Sequence, residues 1–308
     1  MREIPLLLPP PSEQAAIVHF LDHVDRCIQR YIRAKEKLIA LLEEQKQAIV
    51  HQAVTGRIDV RTGRPYPAYK PSGVEWLGEV PAYWKLARIK TEFECLNHRR
   101  LPLSSTERGT MTIREYDYYG ASGVIDKVDD YLFQDDLILI AEDGANLVLR
   151  NLPLAIVARG KYWVNNHAHI LKPKHGHLEY LANLLECINY LPWISGVAQP
   201  KLTQDRLMSI AIAVPPREEQ DKIVSYILAE TEHLRAASSL AREEISLFCE
   251  YRTRLIADVV TGKLDVRSAA ASLPEIASLT VDDGADAPLD AGGEPASDDH
   301  NEPAEVVR

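Results

Sequence analysis

The chain has no apolar run near the ~20 residues that a bilayer span needs, so an integral helical membrane protein is excluded. It has four cysteines, Cys27, Cys95, Cys187 and Cys249, with no two close enough to suggest a zinc knuckle or a redox pair. The opening stretch MREIPLLLPPP reaches prolines after a few apolar residues and carries no small-residue cleavage site. It therefore lacks the pattern of a secretory leader, and the expectation is a cytoplasmic chain with reduced thiols. There is no G-x-x-x-x-G-K-[ST] phosphate loop and no G-x-G-x-x-G after a strand. An Asn/Asp-Pro-Pro-aromatic stretch, which amino-methyltransferases use, is missing too. The one Asp/Glu-x-Lys instance considered for a two-metal nuclease, Glu44-Gln45-Lys46, falls inside a long helical pattern. No catalytic constellation emerges, and the expectation is a protein that is not an enzyme by itself.

A basic surplus is also missing. The net charge is −10, but residues 268–308 hold ten acidic residues against the single Arg308, so nearly all of it lies in that tail. Rich in Ala, Asp, Pro and Gly and without periodicity, the tail cannot offset the entropy of ordering and reads as disordered. The rest of the chain is close to neutral, which neither favours nor excludes nucleic acid.

What the chain does have is a repeat. VTGRIDVR at 54–61 returns as VTGKLDVR at 260–267, and PPPSEQAAIV at 9–18 returns at the same offset as PPREEQDKIV at 215–224. A segment of some fifty residues, 9–61, is thus written again as 215–267 without a gap. Within each copy the apolar residues recur at helical spacing: Val18, Leu21, Ile28, Ile32, Ile39, Leu42 and Ile49, then Val224, Ile227, Leu234, Ser238, Ile245, Phe248 and Leu255. Prolines precede each pattern and Gly56 and Gly262 follow it, as helix starts and ends prefer. An a/d seam sustained this long predicts a coiled coil. Its partner is either a helix of another chain or the other copy. The second is the better reading, because one helix runs into the intervening segment and the other runs out of it, which makes the pair antiparallel with matched lengths.

Between the copies the character changes. GVIDKVDDYLFQDDLILIAEDG, LAIVARGKYWVNNHAHILKP and LMSIAIAVPP read as short strands bounded by turn residues, and HLEYLANLLECINYLPWI at 177–194 reads as a helix with Leu178, Leu181, Leu184, Leu185 and Ile188 on one stripe. The fold class is α+β: one globular domain flanked by two long α-helices that form an antiparallel coiled coil. His167, His169, His175 and His177 permit a metal by spacing, but no Cys or carboxylate follows at the spacing of a closed zinc site; hydrogen-bonding histidines are the better reading. Glu142-Asp143 before Gly144 fits a tight turn after a buried strand better than an acid pair. Four stretches suit polar recognition: EYDYYGASG (115–123), EDGANLVLR (142–150), KYWVNNHAH (161–169) and GVAQPKLTQ (196–204). Asn and Gln pair with adenine, and Arg and Lys with guanine, while Lys, Ser, Thr and backbone N–H groups hold phosphates; ordinary turn chemistry accounts for any single one of these residues equally well.

These residues resemble the DNA-specificity subunit of type I restriction–modification systems, over residues 5–267. YPAYKPSGVEWLGEVPAYW (66–84) looks like the lead-in to a target-recognition domain; YYGASGVIDKVDDYLF, AEDGAN, WVNNHAHIL and AQPKLTQ look like its body; PPREEQDKIV and LIADVVTGKLDV look like the helical region that follows. The resemblance implies two recognition domains alternating with two helices, each domain reading half of a split site in double-stranded DNA, with the helices fixing the gap and docking two methyltransferase subunits. Restriction/translocase subunits join through the complex, no membrane is involved, and this chain itself carries no cofactor: S-adenosylmethionine, ATP and Mg are expected in the partner subunits. The division expected is 1–11 as the end of a first recognition domain absent here, 12–56 as helix, 57–214 as recognition domain, 215–262 as helix and 263–308 as acidic tail. The chain thus resembles the back portion of such a subunit and is expected to read one half-site. The alternative is a truncated scaffold or relic that binds methyltransferase without reading DNA. The residues expected on the DNA face are Tyr118, Tyr119, Lys127, Asn146, Arg150, Lys161, Asn165, Asn166, His167, Gln199 and Lys201.

Overall fold

The computed structural model describes residues 8–196 and 199–274; of the expected tail 263–308, residues 275–308 lie outside the described residues, and Arg267–Ser272 forms a short helix where the sequence predicts no order beyond 267. It is α+β and divides into two compact units. The larger, Ile32–Leu247, holds all the strands and the adjoining parts of the two long helices. The smaller holds the remainder of both helices. Among the described residues no helix is long and apolar enough to cross a membrane.

The long helices run over Pro11–Val54 and Arg217–Val260, 44 residues each. Each begins at prolines and ends where a glycine adopts positive φ, at Gly56 (73°) and Gly262 (73°), a conformation that costs a residue with a Cβ about 1 kcal/mol or more. In the smaller unit Ile17, Phe20, Leu21 and Val24 pack on Leu255, Val259 and Val266. There the Arg252 guanidinium meets the Asp25 carboxylate at 2.5 Å, and the Tyr31 and Phe248 rings lie 4.5 Å apart between centroids. Residue numbers rise along one helix as they fall along the other, so these stretches run in opposite directions. In the larger unit Lys35 meets Glu244 at 2.5 Å. Most of the expected seam positions are buried or half-buried, but Val18 is 56% exposed. The reason is local: the short helix Arg267–Ser272 brings Val266 against the first helix, and the face that meets this cluster carries Ile17, Phe20, Leu21 and Val24 instead.

Among the described residues eleven strands follow in chain order: β1 (Tyr69–Pro71), β2 (Glu79–Pro81), β3 (Lys85–Arg88), β4 (Phe93–Cys95), β5 (Tyr116–Gly120), β6 (Gly123–Val128), β7 (Leu137–Ala141), β8 (Ala155–Ala158), β9 (Tyr162–Val164), β10 (Ala168–Pro173) and β11 (Ala211–Val214). The central sheet has the order β4-β10-β7-β8 and is antiparallel throughout. β7, LILIA, is buried along its whole length, which suits a strand covered on both faces. The sheet β6-β5-β9 pairs β5 with β9 in parallel, β1 pairs with β2, and β3 pairs with β11. The helix Leu178–Glu186 sets Leu181, Leu184 and Leu185 into the main core. It stops at Glu186, well short of residue 194, and a single 3-10 turn, Leu191–Trp193, with Pro192 in it, follows after a break.

Candidate nucleic-acid interface

Four connections meet at one end of the β7–β10 pair: the residues after β7, the β9–β10 link, the segment before β11, and the turn after β4. Backbone bonds hold them. The Glu142 N–H donates to the His167 carbonyl (2.9 Å), the Leu202 N–H to the Glu142 carbonyl (2.8 Å), and the Gly144 N–H to the Pro200 carbonyl (3.1 Å). Asp143 and Lys201 form an isolated β-bridge, and so do Ser195 and Lys201. Gly144 turns the chain after β7 at φ 98°, as the turn reading of Glu142-Asp143 requires.

Side chains lock the same place. Arg100 donates from Nη1 to the Glu142 carboxylate and to the carbonyls of Asn166 (3.1 Å) and Ala168 (2.9 Å). Lys201 Nζ stands 3.3 Å from the other Glu142 oxygen. His169 is fully buried; one ring nitrogen, Nε2, lies 2.7 Å from the Leu202 carbonyl and the other, Nδ1, 2.8 Å from the Asn97 amide nitrogen. Those partners fit a neutral ring with the proton on Nε2, and burial pushes its pKa down, against the pull of the Leu202 carbonyl and Glu142. Asn97 also accepts the Ile170 N–H (2.9 Å) and donates to Gln204 Oε1 (2.9 Å). His167 Nδ1 sits 2.9 Å from both Asp143 carboxylate oxygens. His167 and His169 are thus engaged by a carbonyl, an amide and single carboxylates. Among the described residues, no group of three or more His, Cys, Asp or Glu is arranged to hold a metal.

The structure brings some of the expected residues together here and sends others elsewhere. Asn166, Gln199 and Lys201 are exposed on these connections, with His167 half-buried beside them. Asn165 is buried: its N–H donates to the Tyr119 carbonyl (3.0 Å) and its Oδ1 accepts the His167 N–H (2.8 Å), so it shapes the link and offers no edge to a ligand. Tyr118 is buried as well, its hydroxyl accepting the Leu103 N–H at 3.0 Å, because the alternation of β5 turns it inward. Tyr119, half-buried, packs edge-on against Tyr162. Asn146 closes its own turn through both amide atoms to Leu152 (2.9 and 3.0 Å). Arg150 takes a left-handed conformation at the end of the short helix Asn146–Leu149, donating to the carbonyls of Ile188 (2.8 Å) and Glu186. Lys127 pairs with Asp117 at 2.9 Å, and Lys161 stands over the Tyr131 and Tyr116 rings at 4.7 and 5.8 Å. Arg100 and Asn97 were absent from the sequence reading. Their partners lie between 42 and 107 residues away, and nothing in LNHRRL signals them.

Residues 82–232 match the family described as the type I restriction modification DNA specificity domain. A curated Haemophilus influenzae protein named as a type I restriction enzyme specificity subunit is 35% identical over 138 residues, 44% of this chain and 34% of that protein. The solved type I restriction–modification S subunit from M. genitalium is 14% identical, with 81% of this chain and 61% of that one covered at a TM-score of 0.50. A chain from a structural study of complex assembly and conformational transition in the type I system is 17% identical, with 83% and 61% covered at 0.54. These two likenesses speak for the fold. The matched region is similar to that DNA specificity domain, and the fold of the chain is similar to that of the solved type I S subunit. The alignment spans about a third of the curated relative's length and 61% of each solved chain.

Proposed function

We propose that this chain is the sequence-reading subunit of a type I restriction–modification complex, non-catalytic by itself, reading one half-site of double-stranded DNA. The observation that carries the reading is the convergence of Asn166, His167, Gln199 and Lys201 on one cluster of connections, held from beneath by Arg100, Glu142 and Asn97. Amide and imidazole edges of that kind pair with base edges, and an exposed ammonium pairs with phosphate. The two long helices, pairing as an antiparallel coiled coil, set the distance from this cluster to whatever reads the other half, and present their outer faces to two methyltransferase subunits. Methyl transfer and ATP-driven cleavage then belong to partner subunits, which supply S-adenosylmethionine, ATP and Mg.

The test is selection from a randomised duplex pool by this chain co-purified with its cognate methyltransferase subunit, at two salt concentrations. The expected result is one short contiguous motif. Asn166→Ala or His167→Ala should relax one position of it at a cost of about 1–3 kcal/mol. Lys201→Ala should weaken all sequences alike and lower the salt slope by about one. A stable complex that enriches no motif would leave the chain a scaffold.

A further inference from the structure

The domain is not strung loosely between the helices. Glu219, in the first turn of the second long helix, is buried at 5% exposure. Its carboxylate accepts three hydrogen bonds from the 66–84 lead-in: from the Tyr66 hydroxyl (2.6 Å), from the Tyr83 hydroxyl (2.9 Å) and from the Trp84 indole N–H (3.3 Å). Tyr83 in turn accepts from Arg61 Nη2 (3.3 Å), which the Asp59 carboxylate holds at the end of the first helix (2.7 Å). Burial and the adjacent carboxylate push the Tyr66 and Tyr83 phenols up, so both remain protonated donors. The next residue completes the joint: Gln220 Oε1 accepts the His177 N–H (2.8 Å) and its amide donates to the Pro215 carbonyl (2.9 Å). Tyr180, on the helix after His177, donates to the carbonyl of Val54 (3.2 Å). One carboxylate and its neighbour therefore gather both helix ends, the lead-in and a domain helix.

The repeat supplies a built-in control. Glu13 is the equivalent of Glu219, yet it is only half-buried, and among the described residues no tyrosine hydroxyl or indole donates to it. The chemistry around Glu219 is therefore not required to start the helix, since the same phrase starts the first helix without it.

We infer that Glu219 is a positioning residue that fixes the attitude of the recognition domain on the two helices, and with it the register at which the 142–146, 165–167 and 199–204 connections meet the duplex. The inference rests on the DNA-reading function proposed above for its second half only. A merely structural carboxylate would loosen the whole domain when neutralised; a positioning one loosens the joint and leaves the reading surface intact.

Glu219→Gln keeps the shape and loses the charge that strengthens all three bonds, and Tyr83→Phe removes one donor without touching the helix. Both are compared with Glu13→Gln and the parent chain, in complex with the methyltransferase subunit. Hydrogen exchange in peptides covering 66–84 and 215–227 should rise about tenfold in Glu219→Gln and less in Tyr83→Phe. Peptides from 137–173 should stay within about twofold, and Glu13→Gln should match the parent throughout. On a duplex carrying the selected motif, Glu219→Gln should keep the same base preferences while its hydroxyl-radical footprint loses a sharp boundary on one side. Uniform exchange gains across the domain, or none at the joint, would overturn the inference. So would a footprint as sharp as the parent's. If the parent enriches no motif, the DNA-reading proposal fails, and the exchange pattern still decides whether Glu219 sets the joint.

Discussion

The two copies of the repeat share their opening and closing phrases and their length, and differ in what covers them. Val54 is 0% exposed and its equivalent Val260 61%. Val224 is 7% exposed and its equivalent Val18 56%. A Cβ built on Gly56 would come within 2.5 Å of Pro81 Cδ and 3.1 Å of the Trp84 ring, whereas one on Gly262 would meet nothing within 4 Å. Thr55 is buried, Thr261 exposed. Yet both copies fold to a 44-residue helix that ends in a glycine at the same φ, 73°. The phrase therefore contains its own instructions for a helix and its stop. The socket is made by the segment that follows the first copy and precedes the second, not by the repeated residues.

Substitutions at equivalent positions can break that comparison. The largest difference is expected at the glycines. An alanine at either site must hold positive φ, a strain of about 1 kcal/mol. At Gly56 it must also displace the Pro81 and Trp84 rings, so Gly56→Ala should destabilise by about 3 kcal/mol in all, and Gly262→Ala by only the strain. Urea denaturation of the two variants measures both, and equal losses would mean that the lead-in does not press on Gly56. Next come the valines. Val54→Ala removes two buried carbons and leaves a cavity, about 2 kcal/mol, while Val260→Ala should stay within about 0.5 kcal/mol of the parent. A substantial loss at Val260 would say that something in solution covers this valine.

The same contrast explains what could be read from the letters alone. The long helices were legible because 3.6-residue periodicity, flanking prolines and terminal glycines are local signals, and the 206-residue offset made the two elements equal in length. Strand-forming runs such as LILIA were legible for the same reason. Val18 was misassigned because its exposure depends on Val266, a residue almost 250 positions on. The 177–194 helix is shorter than its pattern suggests because apolar residues continue past Glu186, where the helix ends, into the 3-10 turn Leu191–Trp193. At the candidate interface, polar residues beside glycine or proline drew attention to these loops, and Asn166, His167, Gln199 and Lys201 do come together on them. The same rule could not separate them from Tyr118 and Asn165, which strand alternation and a turn bond take inward, or from Arg150, which is spent on the carbonyls of Ile188 and Glu186. Arg100 and Glu219 owe their roles to partners far along the chain, and Glu219 stands in the same Glu-Gln pair as Glu13.

The smallest expected effect is at a clasp that both copies form, and it sharpens the comparison. In each Asp-Val-Arg, the aspartate accepts from the arginine two residues on. Arg61 reaches Asp59 through Nε (2.7 Å), Nη2 (2.7 Å) and its backbone N–H (3.0 Å). Arg267 reaches Asp265 through the same three groups at 2.9, 2.6 and 3.0 Å. The Arg267 guanidinium, then its backbone N–H, holds the Asp265 carboxyl down to about 2, and the Arg61 guanidinium holds Asp59 below the usual carboxylate value against its own burial. A carboxyl whose folded pKa lies below its unfolded one favours the folded state above the unfolded value of about 3.9, and that contribution disappears as pH falls through the folded value. Both clasps should therefore be intact at neutral pH and released only in strong acid. Carboxyl-carbon NMR titration of the full chain should find Asp265 with a midpoint near about 2 and Asp59 below the ordinary range, and Arg267→Gln, which keeps the backbone N–H but loses the guanidinium, should raise Asp265 toward it. An ordinary midpoint for Asp265 in the parent chain would mean that the exposed clasp opens in solution, and that the second copy needs the cover found only at the first.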